Sequence, residues 1–500
     1  MSAPDVTRRR FVAGALAGGA AAALPTAARA AKPGAQDAAA QPPRAVDVVV
    51  VGGGFAGLSA ARAIAHAGRS VIVLEARDRV GGRVWNHPIG GGHVAERGGT
   101  FAGPTQDHVL ALARAVHVDT FPTYDTGKDL YVTDATRLAY SDSGPFGTAP
   151  PDPSISGEII QVVAGLDGMS GSVPVARPWT AAHAAAWDAQ TLADWLRSQA
   201  VSPAMEALTA AATRPIFGAE PREVSLLFSL FYTAAAGDAK HAGTFQRLFD
   251  TRQGAQMWRF VGGSQEIAIK VAAALGDRLV LDAPVRRIAQ SGGHVSVGSD
   301  RFTIRAKRVI VAIAPTLAGR IDYAPHLPAA RDRLTQQFPQ GTLIKVAAVY
   351  AKPFWRHAGL NGTVTATNGP VSIAYDDSPP GGKPGVLFGF VGGDNARAHQ
   401  RLSPSARRAA VVKQFVSFFG PAAAHPSQYF ETDWSEQQWT RGCPVGIPGP
   451  GVLHAYGPSL REPVGHIHWA GTETATFWNG YMDGAISSGQ RAASEVLSGL

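Results

Sequence analysis

Residues 46–84 read VDVVVVGGGFAGLSAARAIAHAGRSVIVLEARDRVGGRV, and this stretch decides the fold. Six residues of strand character, Val46 to Val51, run straight into Gly52-Gly53-Gly54-Phe55-Ala56-Gly57 and then an alanine-rich helix. In that order Gly52 makes the tight turn, Gly54 lets backbone approach a pyrophosphate, and Gly57 lets helix and strand pack closely. The helix start around Ala56 offers unpaired N–H groups and a positive dipole end to phosphates. A second strand, Ser70 to Leu74, ends at Glu75, placed to accept a hydrogen bond from an adenosine ribose hydroxyl. An isolated glycine-rich turn is weak evidence. Here strand, turn, helix, strand and terminal acid follow one another in the right order.

The continuation Arg77-Asp78-Arg79-Val80-Gly81-Gly82-Arg83 separates FAD from NAD. A second glycine pair flanked by arginines adds backbone amides around Gly82. Arg77 and Arg83 add guanidinium forks for a long, twice-phosphorylated cofactor. FAD is the expected cofactor.

Five hundred residues exceed what one hydrophobic core normally serves, so two domains are expected. The net charge is +8, and four arginines against Asp5 put +3 of it in the first thirty residues. The rest is mildly basic, with no basic run interleaved with aromatics, so nucleic-acid binding has no support. Thr7-Arg8-Arg9-Arg10-Phe11-Val12 resembles a twin-arginine export signal. An alanine- and glycine-rich apolar stretch to Leu24 and a small-residue cleavage point before Ala31 follow it. Export through the twin-arginine translocase carries folded proteins, which suits a chain that loads FAD in the cytoplasm. A periplasmic or secreted location is expected, with residues 31–45 as a linker. The leader is too short and weakly apolar to span a bilayer, and no apolar 20-residue tail closes the sequence, so no stable membrane anchor is expected. The single cysteine, Cys443, excludes an internal disulfide framework and a cysteine-based metal cluster.

The predicted organisation interleaves two domains. FAD-binding segments are expected at 46–129, 270–342 and 437–500, and substrate-domain segments at 130–269 and 343–436. Strand signals recur at Arg278 to Leu281, Val295 to Val297, Arg308 to Ile313 and Leu343 to Tyr350. The last strand, near His466 to Trp469, runs into a loop, and a helix follows from about Tyr481 to Leu497. The expected fold class is α/β: a Rossmann-like FAD-binding domain with an inserted substrate domain of mixed sheet and helices.

Lys345 is the most telling ionisable residue, because Thr342 to Val349 is otherwise apolar on both faces. A buried ammonium titrates low or finds a partner; a lysine on an exposed strand edge needs neither.

Several separated motifs make the chain resemble the FAD-dependent monoamine oxidases over about Asp47 to Leu497. They are the FAD fingerprint, GGTFAGPTQ (Gly98 to Gln106), FVGGSQ (Phe260 to Gln265), GTLIKVAAVYAKPFW (Gly341 to Trp355), RGCP (Arg441 to Pro444) and AGTETATFWNGYMDGA (Ala470 to Ala485). The resemblance implies oxidation of the C–H bond beside an amine nitrogen, with hydride-equivalent transfer to flavin N5. The imine then hydrolyses to an aldehyde or ketone. The cofactor carries the hard step, so no general acid–base pair is expected.

The same resemblance assigns site residues. Lys345 is implied to hold a water near flavin N5. Tyr481 matches one of two tyrosines that flank the amine, whereas the other tyrosine's place holds Pro444, so half of the aromatic cage is missing. Cys443 falls where some relatives bind the flavin through a thioether; a packed free thiol is the alternative, and the two stay open. Gly99 and Thr100 lie in a matched glycine-rich loop. Glu473 matches an acid near the pyrophosphate and ribityl chain, Met482 the flavin-facing turn, Val285 a backbone contact to adenine, and Trp434 a tryptophan packed near the flavin. Phe249 and Gln256 align with cavity-lining positions.

The implied partners are a small primary or secondary amine and an electron acceptor, either dioxygen or a c-type cytochrome; a homodimer is compatible with these residues. Three rivals remain. An exported L-amino acid oxidase needs an arginine for the substrate carboxylate, and Arg247 and Arg252 lie in the right neighbourhood. A desaturase, or a non-catalytic flavin-binding protein, makes no such demand.

Overall fold

Strand β1 (Ala45–Val51) is a continuous valine-rich run because it lies in the middle of a sheet covered on both faces. It pairs in parallel with Thr303–Val311 on one side and with β2 (Val71–Leu74) on the other. Between β1 and β2 runs helix α1 (Phe55–His66). A Cβ on Gly57 would lie 1.9 Å from the Gly52 carbonyl oxygen, so only glycine lets α1 leave the strand this closely. Gly52 itself has φ +107°, a backbone conformation that L side chains rarely adopt.

The structure, a computed structural model, describes residues 44–144 and 147–500. The export signal expected at 1–30 and nearly all of the linker lie outside the described residues, and Ala45 already belongs to β1.

The first sheet has eight strands. Its order is Asp322–Ala324, Val285–Ser291, His294–Ser299, Thr303–Val311, β1, β2 and Leu279–Val280, with Ile467–Trp469 also pairing with Thr303–Val311. The C-terminal helix Met482–Ser498 packs with α1 over one face, sharing a core of Val48, Val50, Ile64, Ile486 and Val496. The other face is closed by Val49, Ile72, Val297, Val309 and Trp469.

A second sheet of seven strands takes the order Gln428–Asp433, Leu343–Tyr350, Gly385–Gly392, Ile373–Asp376, Leu360–Ala366, Lys128–Val132 and Arg137–Tyr140. Every residue of Leu343–Tyr350 is buried, because the strand has hydrogen-bonded neighbours on both edges. The helices Ser156–Ser170, Pro203–Phe217 and Leu226–Ala234 form a separate apolar core around Phe217, Phe228 and Phe231.

Segment 437–500 divides between the two halves. Val445, Ile447, Val452 and Leu453 pack into the helical core, while Ile467–Trp469 and the last helix complete the first sheet. Among the described residues no helix is long and apolar enough to cross a membrane.

Candidate active site

One cavity runs from the β1–α1 turn to the inner face of the second sheet. At one end its walls are Gly52, Gly54, Ala56, Glu75, Arg77, Gly82 and Arg83; at the other they are Thr100, Lys345, Cys443, Pro444, Tyr481 and Met482. Most of the residues singled out in the sequence line this cavity, Gly99, Trp434, Phe249 and Gln256 included. Three do not. Gly57 lies behind the turn, where it sets the approach of α1 to β1. Val285 opens a strand of the first sheet and packs into the core on the sheet's other face. Glu473 is fully buried behind Arg83.

The turn fits a dinucleotide. The N-cap of α1 is Gly54, with no side chain capping the helix and no acid in its first turn, so its leading N–H groups are left for a phosphate. A Cβ on Gly54 would meet only the Gly82 Cα, at 3.9 Å, so backbone is bare on this side of the cavity. Glu75 is fixed from both ends: Gly53 N donates to one carboxylate oxygen at 2.6 Å and Arg77 N to the other at 3.0 Å. Its remaining lone pairs face the cavity, where a ribose hydroxyl can donate to them.

Glu473 does not line the cavity and is paired with Arg83, which does. Its Oε1 accepts from Arg83 Nη1 at 2.7 Å and its Oε2 from Nη2 at 3.1 Å, a bidentate fork. Gln340 Nε2 donates to the same carboxylate at 3.2 Å and Gly446 N at 3.3 Å. Burial works against both charges; the pairing outweighs it, so the Glu473 carboxyl is held below its ordinary range and the Arg83 guanidinium above.

Lys345 is buried in its strand. Its Nζ donates to Gly98 O at 3.0 Å and Thr100 Oγ1 at 2.5 Å, and sits 3.9 Å from the Phe388 ring centroid. Burial pulls its pKa down, and the carboxylates of Asp377 and Glu96 oppose that shift. Behind it lies a network that sequence reasoning missed. Arg259 Nη2 pairs with Asp377 Oδ1 at 2.7 Å and approaches Glu96 Oε2 at 3.7 Å. Ser264 N donates to Glu96 Oε1 at 2.7 Å, and Ser264 Oγ to Thr100 O at 3.1 Å. Burial and the nearby Asp377 push the Glu96 carboxyl up to about 7. Glu96 stands just before the glycine-rich loop that carries Gly98 and Thr100, and an acid there was the one available signal.

The far end of the cavity is aromatic and aliphatic, walled by Ile216, Tyr232, Leu248, Ile373, Tyr375 and Phe390. Tyr481 donates its hydroxyl to Leu248 O at 3.0 Å and stacks edge-on against Trp478 at 4.9 Å. Tyr232 stands 5.9 Å from the Tyr481 ring, centroid to centroid, and supplies an aromatic wall of the cavity that the sequence did not disclose. The Cys443 thiol faces the cavity, with burial pushing its pKa up. Arg247 donates to Ala236 O and Ala242 O, and Arg252 pairs with Asp125 and Asp142. Neither arginine reaches this chamber, so neither is placed to clamp a substrate carboxylate there. Among the described residues no cluster of ligand side chains could hold a metal ion.

Comparison with known proteins agrees with this geometry. The family described as flavin containing amine oxidoreductase matches residues 55–497. A Mycobacterium tuberculosis protein carrying the name of a flavin-containing monoamine oxidase is 42% identical, over 92% of this chain and 98% of its own length. The bovine flavin-containing amine oxidase B is 35% identical, over 91% of this chain and 86% of its own length. Among solved structures, cyclohexylamine oxidase from Brevibacterium oxydans superposes with a TM-score of 0.86 at 34% identity, covering 91% of this chain and 99% of that one. Putrescine oxidase bound to putrescine gives 0.85 at 33%, with the same coverage.

Proposed function

Since the chain belongs to the flavin-containing amine oxidoreductases, we propose that it oxidises unhindered primary aliphatic or cycloaliphatic amines and passes the electrons to dioxygen. FAD, when bound, supplies the two-electron acceptor for the C–H bond beside the amine nitrogen. The observation that carries the reading is one continuous cavity, joining a bare helix N-terminus to an apolar chamber that holds a buried lysine and Tyr481.

The chain's own residues prepare the substrate. The chamber walls are apolar, and Lys345 is the cation among them, so an arriving ammonium is disfavoured and the amine is held neutral. Tyr481 presents a ring fixed by its hydroxyl bond and by Trp478. Tyr232 forms the second wall, and Pro444 leaves room where a cage tyrosine would stand. That room supports a saturated ring or alkyl chain, and the similarity to cyclohexylamine oxidase and putrescine oxidase points the same way. Thr100 and Gly98 hold the Lys345 ammonium in the cavity wall. The C-terminal helix starts at Met482 with no side-chain cap, so its N–H groups can stabilise negative charge arising beside it.

The acceptor is proposed from the relatives, which are named as oxidases. The thiol of Cys443 is kept protonated by burial, which favours FAD bound without a covalent link. Export by the twin-arginine route to the periplasm is supported by Arg8 and Arg9 ahead of the apolar leader. Fractionating cells that carry Arg8→Lys/Arg9→Lys tests it: retention of the variant with the cytoplasm supports export, and unchanged distribution refutes it.

The reaction is tested by adding a panel of amines anaerobically to the FAD-loaded protein and following the flavin's visible absorbance. Bleaching by alkyl or cycloalkyl amines, reversed by air, is the expected result. A flavin that dithionite reduces but no amine does would overturn the reading. Recovery with a cytochrome but not with air would overturn only the acceptor.

A further inference from the structure

A second cavity of about 400 Å³ adjoins the amine chamber and shares Phe249, Ile373 and Tyr375 with it as walls. Its size falls in the range of small-molecule sites, about 300–1,000 Å³. The floor of both cavities is one face of the second sheet. Lys345 pairs across the strands with Phe390, Phe390 with Ile373, Ile373 with Thr365, and Thr365 with Tyr131. Directly paired residues project to the same face, so this row points one way. Four strand spacings of about 4.8 Å put the Lys345 strand about 19 Å from the Lys128–Val132 strand. Two residues from Tyr131 on that last strand, and again on the cavity wall, is Asp129.

Asp129 is 3% exposed, yet it opens onto the second cavity. Its carboxylate receives a hydrogen bond from Asn361 Nδ2 at 2.5 Å, a neutral donor. Among the described residues no donor bonds its other oxygen, Oδ2, and no cation pairs with it. Two further acids stand close by, Asp125 and Asp142, and both are taken up by Arg252 at 3.1 and 2.7 Å. Behind the cavity wall one guanidinium thus serves two carboxyl groups, and Asp129, the one of the three acids that lines the cavity, is left outside that pairing. A second acid on the cavity wall, Asp167, is only partly buried and accepts from Phe245 N at 2.7 Å, so the carboxylate whose burial is costly is that of Asp129, and a cation in the cavity removes that cost. The helix Ser156–Ser170 supplies much of the apolar wall, including Ile159, Val162 and Val163.

We propose that Asp129 is the recognition group for the distal ammonium of a long α,ω-diamine, whose near amine lies in the Lys345 chamber and whose methylene chain crosses Ile373. This rests on the amine-oxidising reading of the first cavity. The near amine is held neutral among apolar walls, and the far one remains charged and pairs with the Asp129 carboxylate. An n-alkylamine of the same length fills the same space but leaves that carboxylate without a partner.

The test compares kcat/KM for a series of α,ω-diaminoalkanes of increasing length with that for matched n-alkylamines, in the wild type and in Asp129→Asn. In the wild type the diamine-to-monoamine ratio rises with length to roughly 10- to 100-fold, the scale of a hydrogen bond to a charged group. Asp129→Asn brings the ratio close to one, mainly through KM. If that variant does not fold, the wild type is challenged with long primary amines ending in trimethylammonium or tert-butyl. The charged end is then preferred by a similar factor. Equal rates for the two ends, a diamine ratio near one at every length, or a ratio that survives Asp129→Asn would each overturn the proposal while short amines still bleach the flavin. If no amine of any kind bleaches it, the amine reaction itself has failed, and this proposal with it.

Discussion

Glu473→Gln measures how strongly the buried carboxylate holds Arg83 in place. The carboxylate is buried and accepts four hydrogen bonds, two from Arg83 and one each from Gln340 Nε2 and Gly446 N. A glutamine keeps the shape but has one acceptor oxygen, and its NH₂ must face at least one of these donors. The Arg83 charge is then left without its counter-ion. Removing one partner of a buried pair costs about 3–5 kcal/mol. The Arg83 side chain is 25% exposed, through the cavity, so water can partly take over and the lower end, about 3 kcal/mol, applies to the FAD-free protein.

Such a loss is a large share of an ordinary stability of about 5–15 kcal/mol. Urea unfolding of FAD-free protein measures it as a lower midpoint at unchanged slope. The double variant Glu473→Leu/Arg83→Met, which removes both charges together, recovers most of the loss, because neither is then stranded. A single-variant cost below about 1 kcal/mol, or a double variant no better than the single one, would refute the reasoning. The acid limb gives a further check. The Glu473 carboxyl is depressed in the folded protein, so its contribution is present above the unfolded carboxylate range and is lost as pH falls through the folded value. The glutamine variant lacks that component.

Four other outcomes follow from the geometry. Gly57→Ala puts a Cβ 1.9 Å from Gly52 O, so α1 must shift by more than an ångström and FAD affinity falls at least tenfold, measured by flavin fluorescence on titration. Tyr481→Phe loses the bond to Leu248 O but keeps the ring, costing about 1 kcal/mol or roughly fivefold in kcat/KM, whereas Tyr481→Leu costs several times more. Acid precipitation of the holoprotein leaves a colourless pellet and free FAD in the supernatant; a yellow pellet from the wild type but not from Cys443→Ser shows the covalent bond instead. Burial pushes the Asp129 carboxyl up to about 7 against the Asn361 hydrogen bond and Arg252, with Asp125 and Asp142 adding to the rise. Its stability contribution is therefore full below the unfolded value of about 3.9 and lost as pH rises through the folded one, so the urea-stability difference between wild type and Asp129→Asn shrinks from about pH 4 to about pH 8.

What the sequence disclosed and what it hid divide along a physical line. The β1–α1–β2 turn is local: its glycines, strand and acid lie within thirty residues, and their spacing alone fixes which backbone can face a phosphate. Lys345 was legible for a related reason, since a lone ammonium in an apolar run demands burial with a partner, and the strand has neighbours on both edges. The partners themselves were not legible. Thr100 and Gly98 accept from Lys345 across some 245 residues of sequence, and Glu96 meets Arg259 and Asp377 only because two sheets and a loop converge. Glu473 shows how much of a residue's surroundings a motif leaves unsaid. The acid is expected near the cofactor, and its spacing says nothing of the donors that meet its oxygens, Arg83, Gln340 and Gly446, of which Arg83 and Gln340 line the cavity. Tyr232 and Asp129 stand in the helical insertion and on a strand reached through three others, where no period or spacing marks them. The proposed amine specificity rests on residues of this second kind. On the proposed reading a chain can keep every local signal of its cofactor turn and still change its amine through Tyr232, Pro444 and Asp129. Substitutions at those three positions are therefore expected to shift the relative kcat/KM for different amines while leaving the FAD affinity, measured by flavin fluorescence on titration, unchanged.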